Sequence, residues 1–247
     1  MRRLLPAALL VLAGCGGAAS APREAAVVEP EPTPAFVADE MPAAAKKAPE
    51  PRYATAQVVR RTTLRSAPGG RVVARVGRKT EFGSPRVLGV VGRRGAWLRV
   101  IASERENEQR AWIRAGAVRL GGTNVSIRVD RSAMRLVLRR GKKVLRRMTI
   151  AVGRPGNETP LGRFAVTDLL KTSAPDSPYG CCAVALSGHQ TKLEPGWPGG
   201  DRLAIHGTPN PETVGAAASL GCMRAYEPDI RALLRRVPLG APVFVRA

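Results

Sequence analysis

Ile205-His206-Gly207-Thr208 and Ser219-Leu220-Gly221-Cys222-Met223-Arg224 are the stretches around which the chain is read. His206 is one of only two histidines and ends an apolar strand pattern. Cys222 lies sixteen positions on, after a glycine and two residues before an arginine. A thiolate nucleophile needs a base or a cation to lower its pKa, and a glycine lets a substrate carbonyl approach the backbone. It also needs donors for the oxyanion that forms on attack. A Cys–His pair on separate elements can supply nucleophile and base. Many buried cysteines are inert, so the pair alone leaves an unreactive core thiol open.

The surrounding residues, 121–247, alternate as short strands. Asn124 to Asp130 is one, and Met134 to Leu138 with Val144 to Val152 form a hairpin around Arg139-Arg140-Gly141-Lys142-Lys143. Cys182 to Leu186, Leu203 to Ile205 and Pro242 to Val245 are further strands. Helical patterns are short: Glu212 to Ala218, and Pro228 to Arg236. The expected class is mostly β with small helices.

His206-Gly207-Thr208 followed by Ser219-Leu220-Gly221-Cys222-Met223-Arg224 resembles the signature of the L,D-transpeptidase (YkuD-type) catalytic domain. Thr159-Pro160-Leu161-Gly162-Arg163-Phe164 is similar to that family's upstream Thr-Pro-x-Gly-x-Phe element, and Tyr179-Gly180 also fits. Leu220 departs from the pattern, because many members carry a second histidine there; Pro209 is a smaller variation. The resemblance implies a YkuD-like β-sandwich or barrel with short helices over residues 121–247. It implies acyl transfer on peptidoglycan stem peptides, with Cys222 attacking the carbonyl before the terminal D-residue of a tetrapeptide. His206 would take the thiol proton, and the Gly207 carbonyl would orient the imidazole. The backbone N–H groups of Leu220, Gly221 and Cys222 would form the oxyanion hole. Arg224, Ser219 and Thr208 would order the site or meet substrate. D-Ala would leave, and a neighbouring amine would resolve the thioester into a 3→3 cross-link. No metal and no cofactor is implied.

Upstream, residues 56–120 are a run of short β patterns split by turn signals. Leu64-Arg65-Ser66-Ala67-Pro68, Gly95-Ala96-Trp97-Leu98-Arg99-Val100 and Ala111-Trp112-Ile113 resemble a small bacterial SH3-like β-barrel. Trp97 and Trp112 sit in apolar strand patterns and are expected in its core.

Met1-Arg2-Arg3, the ten apolar residues Leu4 to Ala13, and Leu12-Ala13-Gly14-Cys15 resemble a bacterial lipoprotein signal. A spanning helix needs roughly 20 apolar residues, which this run lacks. Residues 1–14 would be removed and Cys15 lipidated. The protein would be exported and lipid-anchored, on the outer face of the cytoplasmic membrane or in the periplasm or outer membrane. Residues 15–55 read as an Ala/Pro-rich tether, with seven Pro and twelve Ala between Gly16 and Thr55.

Composition excludes less. Of 247 residues, 40 are Lys or Arg and 19 are Asp or Glu, for a net charge of +21. A 44% hydrophobic fraction excludes wholesale disorder, and four cysteines in this length do not make a disulfide scaffold. The charge invites an anionic partner; export excludes nucleic acid, and an anionic wall polymer remains. Arg outnumbers Lys 33 to 7, a skew that a GC-rich genome also produces. The expected oligomeric state is a monomer.

Blander readings cover the rest. His189 lies in a polar loop and is not expected to act as a base. Cys181 and Cys182 read as small residues entering a buried strand, with a vicinal disulfide as the alternative. Gly121-Gly122 reads as a turn. The acceptor is open between an amine, another protein's attachment to peptidoglycan, and water, and a non-catalytic wall-binding lipoprotein is the reading from a different class.

Overall fold

The structure, a computed structural model, describes residues 52–247 apart from 173, 175 and 198. The signal, the lipidation candidate Cys15 and the tether up to residue 51 lie outside the described residues.

Seven strands build the first sheet: β1 (Tyr53–Val58), β2 (Thr62–Arg65), β3 (Val72–Val76), β4 (Val87–Arg94), β5 (Trp97–Ile101), β6 (Ala111–Arg114) and β7 (Val118–Thr123). Their order is β3-β2-β6-β5-β4-β1-β7, antiparallel throughout. Inward residues Ala56, Leu64, Leu98, Val100 and Ile113 make its core. Strand alternation sends Trp97 and Trp112 to the other face, where both are half-buried. The expectation that they fill the core is therefore corrected: Leu98 and Ile113 take that place, and the Arg114 guanidinium lies 4.7 Å over the Trp97 ring. The sheet also extends past the expected boundaries. Tyr53 to Thr55, read as tether, are strand because they pair with Thr123, Gly122 and Gly121, and the Tyr53 ring centroid lies 6.2 Å from that of Phe244. Gly121 and Gly122, read as a turn, pair with Thr55 and Ala54 inside β7.

The second sheet contains β8 (Val125–Asp130), β9 (Arg135–Arg140), β10 (Lys143–Thr149), β12 (Gly162–Lys171), β13 (Cys182–His189), β14 (Arg202–His206), β16 (Met223–Arg224) and β17 (Pro242–Arg246). Its order is β10-β9-β8-β17-β12-β13-β14-β16. The short strands β11 (Val152–Gly153) and β15 (Ala217–Ser219) pair in parallel beside it. That pairing corrects the helix expected over Glu212 to Ala218. Only Pro211–Thr213 turn as a 3-10 helix, and Gly215 at φ 96° ends any helical continuation. The expected terminal helix is α1 (Glu227–Leu234), with Pro228 in its first turn and Ile230 and Leu233 buried. They join Ile127, Leu138, Phe164, Val166, Val184, Ile205 and Met223 in one core. The chain is mostly β, as expected.

The two sheets keep separate hydrophobic cores and meet through the Tyr53–Phe244 packing and a set of polar contacts. Thr80 Oγ1 donates to the buried Asp168 carboxylate at 2.5 Å. Arg110 donates to the Arg163 carbonyl at 3.4 Å, and Asn107 bonds the backbone of His189.

Candidate active site

Strands β14 and β16 run parallel, with Ile205 beside Met223 and His206 beside Arg224. Cys222, the residue before β16, thereby reaches the end of β14. His206 and Cys222 line one cavity of about 170 Å³ with Tyr179, Gln190, Arg202 and Arg224.

His206 is 4% exposed, and its Nδ1 lies 2.5 Å from the Gly207 carbonyl oxygen. A carbonyl only accepts, so Nδ1 carries the proton and Nε2 has a lone pair to offer. Burial pushes the imidazole pKa down to about 4, the Arg224 cation acts in the same sense, and the Gly207 carbonyl opposes them. The imidazole is therefore neutral at ordinary pH. The Tyr179 ring meets His206 edge-on at 5.1 Å. Gly207 is needed as glycine, because a Cβ there would lie 2.6 Å from Glu227 Oε1 and 3.2 Å from the Tyr179 carbonyl.

The Cys222 thiol points at the Arg202 carbonyl, 3.8 Å away. Close packing disfavours the thiolate and pushes the thiol pKa up; the Ala204 N–H and Arg224 only partly oppose this. At ordinary pH the thiol and the imidazole are therefore both in their neutral forms.

The loop 219–222 is held by its carbonyls. Ser219 O accepts from Arg154 N at 2.9 Å, Leu220 O from Gln190 Nε2 at 3.0 Å, and Gly221 O from Thr159 Oγ1 at 2.8 Å. In a trans peptide the N–H points opposite to the carbonyl. Fixing the Ser219 and Gly221 carbonyls thus directs the N–H groups of Leu220 and Cys222 away from those anchors. Neither N–H has an acceptor among the described residues. The third expected oxyanion donor is corrected: the Gly221 N–H already donates to Ser219 Oγ at 3.0 Å. Ser219 Oγ in turn donates to the Cys222 carbonyl at 2.5 Å, so its role is to close the turn. The Thr208 hydroxyl accepts from the Asn210 N–H at 3.1 Å and does not line the cavity. Arg224 lines the cavity, where its charge bears on both Cys222 and His206.

Residues 124–245 match the family model of YkuD, the L,D-transpeptidase catalytic domain. The YkuD protein of Bacillus subtilis is 31% identical over 119 residues, spanning 48% of this chain and 64% of that one. YkuD of Bacillus licheniformis is 30% identical over 103 residues, spanning 42% and 54%. The chain thus spans less than two thirds of the length of these curated relatives. Among solved structures, an L,D-transpeptidase from Mycobacterium smegmatis is similar at 19% identity and TM-score 0.41, over 65% of this chain and 82% of that one.

Within the YkuD-matched segment, four site residues had no role in the sequence reading. Thr159 stood in a quoted motif, and its buried hydroxyl now has a purpose in fixing the Gly221 carbonyl. Tyr179 was quoted likewise and covers the imidazole. Gln190 and Glu227 carried no motif signal. Glu227 Oε1 accepts from the Cys181 N–H at 2.8 Å and buttresses the Gly207 turn. His189 is no base: its Nδ1 lies 2.9 Å from Asp201 Oδ2 and its Nε2 lies 2.7 Å from the Ser103 carbonyl. Cys182 enters the buried strand β13 as read, and it is paired with Cys181 in the vicinal disulfide that was the alternative.

Proposed function

We propose that the protein is a peptidoglycan L,D-transpeptidase working through a Cys222 thioester. The observation that carries this reading is the buried, neutral His206, its Nδ1 proton held by the Gly207 carbonyl, in one cavity with Cys222 and two unengaged N–H groups. Cys222 Sγ attacks the stem carbonyl as its proton passes to His206 Nε2. The oxyanion is met by the N–H groups of Leu220 and Cys222. The C–N bond to the terminal D-residue breaks, His206 returns the proton to the departing amine, and a thioester remains. An amine on a neighbouring stem then gives up a proton to His206, attacks the thioester and releases the thiolate, which His206 reprotonates.

Exported, lipid-anchored placement through Cys15 belongs to the same proposal and rests on the first fifteen residues. An SH3-like role in holding the wall, for residues 56–120, belongs to it as well.

The test is incubation of the protein with tetrapeptide muropeptides, followed by mass analysis. Cross-linked dimers of 3→3 type are expected, with an acyl-enzyme on Cys222 that is lost in Cys222→Ala. Tripeptides alone would convert the reading to a carboxypeptidase, and unaltered muropeptides would overturn it.

A further inference from the structure

We propose that Asn107, His189 and Gln190 form a relay by which the N-terminal sheet positions the oxyanion loop. The proposal rests on the transpeptidase reading and assigns positioning residues to that site. Asn107 lies in the connection between β5 and β6, 82 residues before His189. Its Oδ1 accepts from the His189 N–H at 2.9 Å, and its Nδ2 donates to the His189 carbonyl at 2.7 Å. One amide side chain so satisfies both backbone groups of the last residue of β13, as a neighbouring strand would. The His189 ring adds the Ser103 carbonyl on one side and Asp201 on the other. The end of β13 is clamped from the first sheet at three points.

The next residue, Gln190, carries that position to the nucleophile. Its N–H donates to the Asp201 carbonyl at 2.6 Å, and its side chain is buried. Its Nε2 lies 3.0 Å from the Leu220 carbonyl and 3.1 Å from the Asn157 carbonyl, enough to occupy both amide hydrogens. Its Oε1 accepts from the Lys192 N–H at 3.1 Å. The peptide between Leu220 and Gly221 is then fixed on both sides, by Gln190 at the carbonyl and by Ser219 Oγ at the N–H. The two unengaged N–H groups flank this peptide, so its orientation sets theirs. The loop is shaped to the glutamine: a Cβ on Gly221 would overlap Gln190 Nε2. The sheets are also joined at Thr80–Asp168, Arg110–Arg163 and Tyr53–Phe244, so the Asn107 clamp is not what keeps them together.

The full-length chain carrying Asn107→Ala or Gln190→Met tests the relay by three readouts. With a stem tetrapeptide donor, the maximal acylation rate should fall about tenfold or more for Gln190→Met, with KM held within about threefold, because oxyanion donors act in the transition state. Asn107→Ala should give a smaller fall of the same kind. Alkylation of Cys222 by iodoacetamide forms no oxyanion, so its rate should stay within about twofold of wild type. Parallel loss of acylation and alkylation, or wild-type acylation in both folded variants, would overturn the relay. Backbone amide chemical shifts of Leu220, Gly221 and Cys222 need no substrate and should move in Asn107→Ala; unmoved shifts also overturn it. A wild-type chain that forms no acyl-enzyme while those shifts still move sinks the transpeptidase reading and leaves the relay standing.

Discussion

The Thr159 hydroxyl donates to the Gly221 carbonyl at 2.8 Å while accepting from the Gly153 N–H at 2.9 Å. Thr159→Val keeps the shape and removes both bonds inside a fully buried site. Leaving those groups unpaired costs about 1–3 kcal/mol each. The loosened Gly221–Cys222 peptide should slow acylation about tenfold or more. Thermal unfolding and the acylation rate check this together, and Thr159→Ser should restore both. A valine variant with wild-type acylation would remove Thr159 from the positioning of the loop.

His206 gives a pH dependence whose sign follows from its burial. Its folded pKa of about 4 lies below the 6.5 of an ordinary imidazole. The unfolded chain binds this proton more readily, so the contribution is fully present above about pH 6.5 and is lost as pH falls toward 4. A shift of that size is worth about 3 kcal/mol at most. Denaturant unfolding between pH 7 and pH 4 should show the loss, and His206→Phe should flatten it.

The same depression predicts where activity declines in acid. The acid limb of kcat/KM should centre near pH 4, because the free base stays neutral down to that value. A limb centred near 6.5 would mean that the imidazole is solvated in the working enzyme.

Gly221 sits at φ 117°, and any side chain there runs into the Gln190 amide. Gly221→Ala therefore combines backbone strain of about 1–3 kcal/mol with displacement of a buried amide. Acylation should become undetectable, with the melting temperature lowered by several degrees. An alanine variant with ordinary turnover would mean that the loop adopts another conformation during catalysis.

Asp168 is fully buried, one carboxylate oxygen bonded to Thr80 and the other without a partner among the described residues. Thr80→Val should cost about 1–3 kcal/mol, since it leaves a buried carboxyl group without its hydrogen bond. Replacing both, as Thr80→Val with Asp168→Leu, should recover most of that loss. A double variant as unstable as the sum of its parts would contradict the assignment.

That His206 and Cys222 share one cavity was legible through the family resemblance, since the pair alone left an inert core thiol open. A histidine at a strand end and a cysteine behind a glycine report on single turns of backbone, and the strands that bring them together alternate clearly. The helix over Glu212 to Ala218 was misread because its pattern is outweighed by a parallel pairing with Val152 and Gly153, which no local period encodes. The third oxyanion donor was misassigned because the Ser219 side chain folds back onto it. Gln190 and Asn107 were invisible for another reason. Each acts through partners 30 and 82 positions away, and an amide side chain in a polar loop carries no sign of what it will meet.

Cys222 rests with its S–H turned to a backbone carbonyl and its pKa raised. Peroxides and disulfides react with sulfur as its anion, and a protonated thiol gives them little to attack. The arrangement exchanges standing reactivity for chemical longevity. A sulfur held mostly protonated is a slower target for oxidants than an exposed thiolate, so the burial that shapes the cavity also shelters the atom inside it.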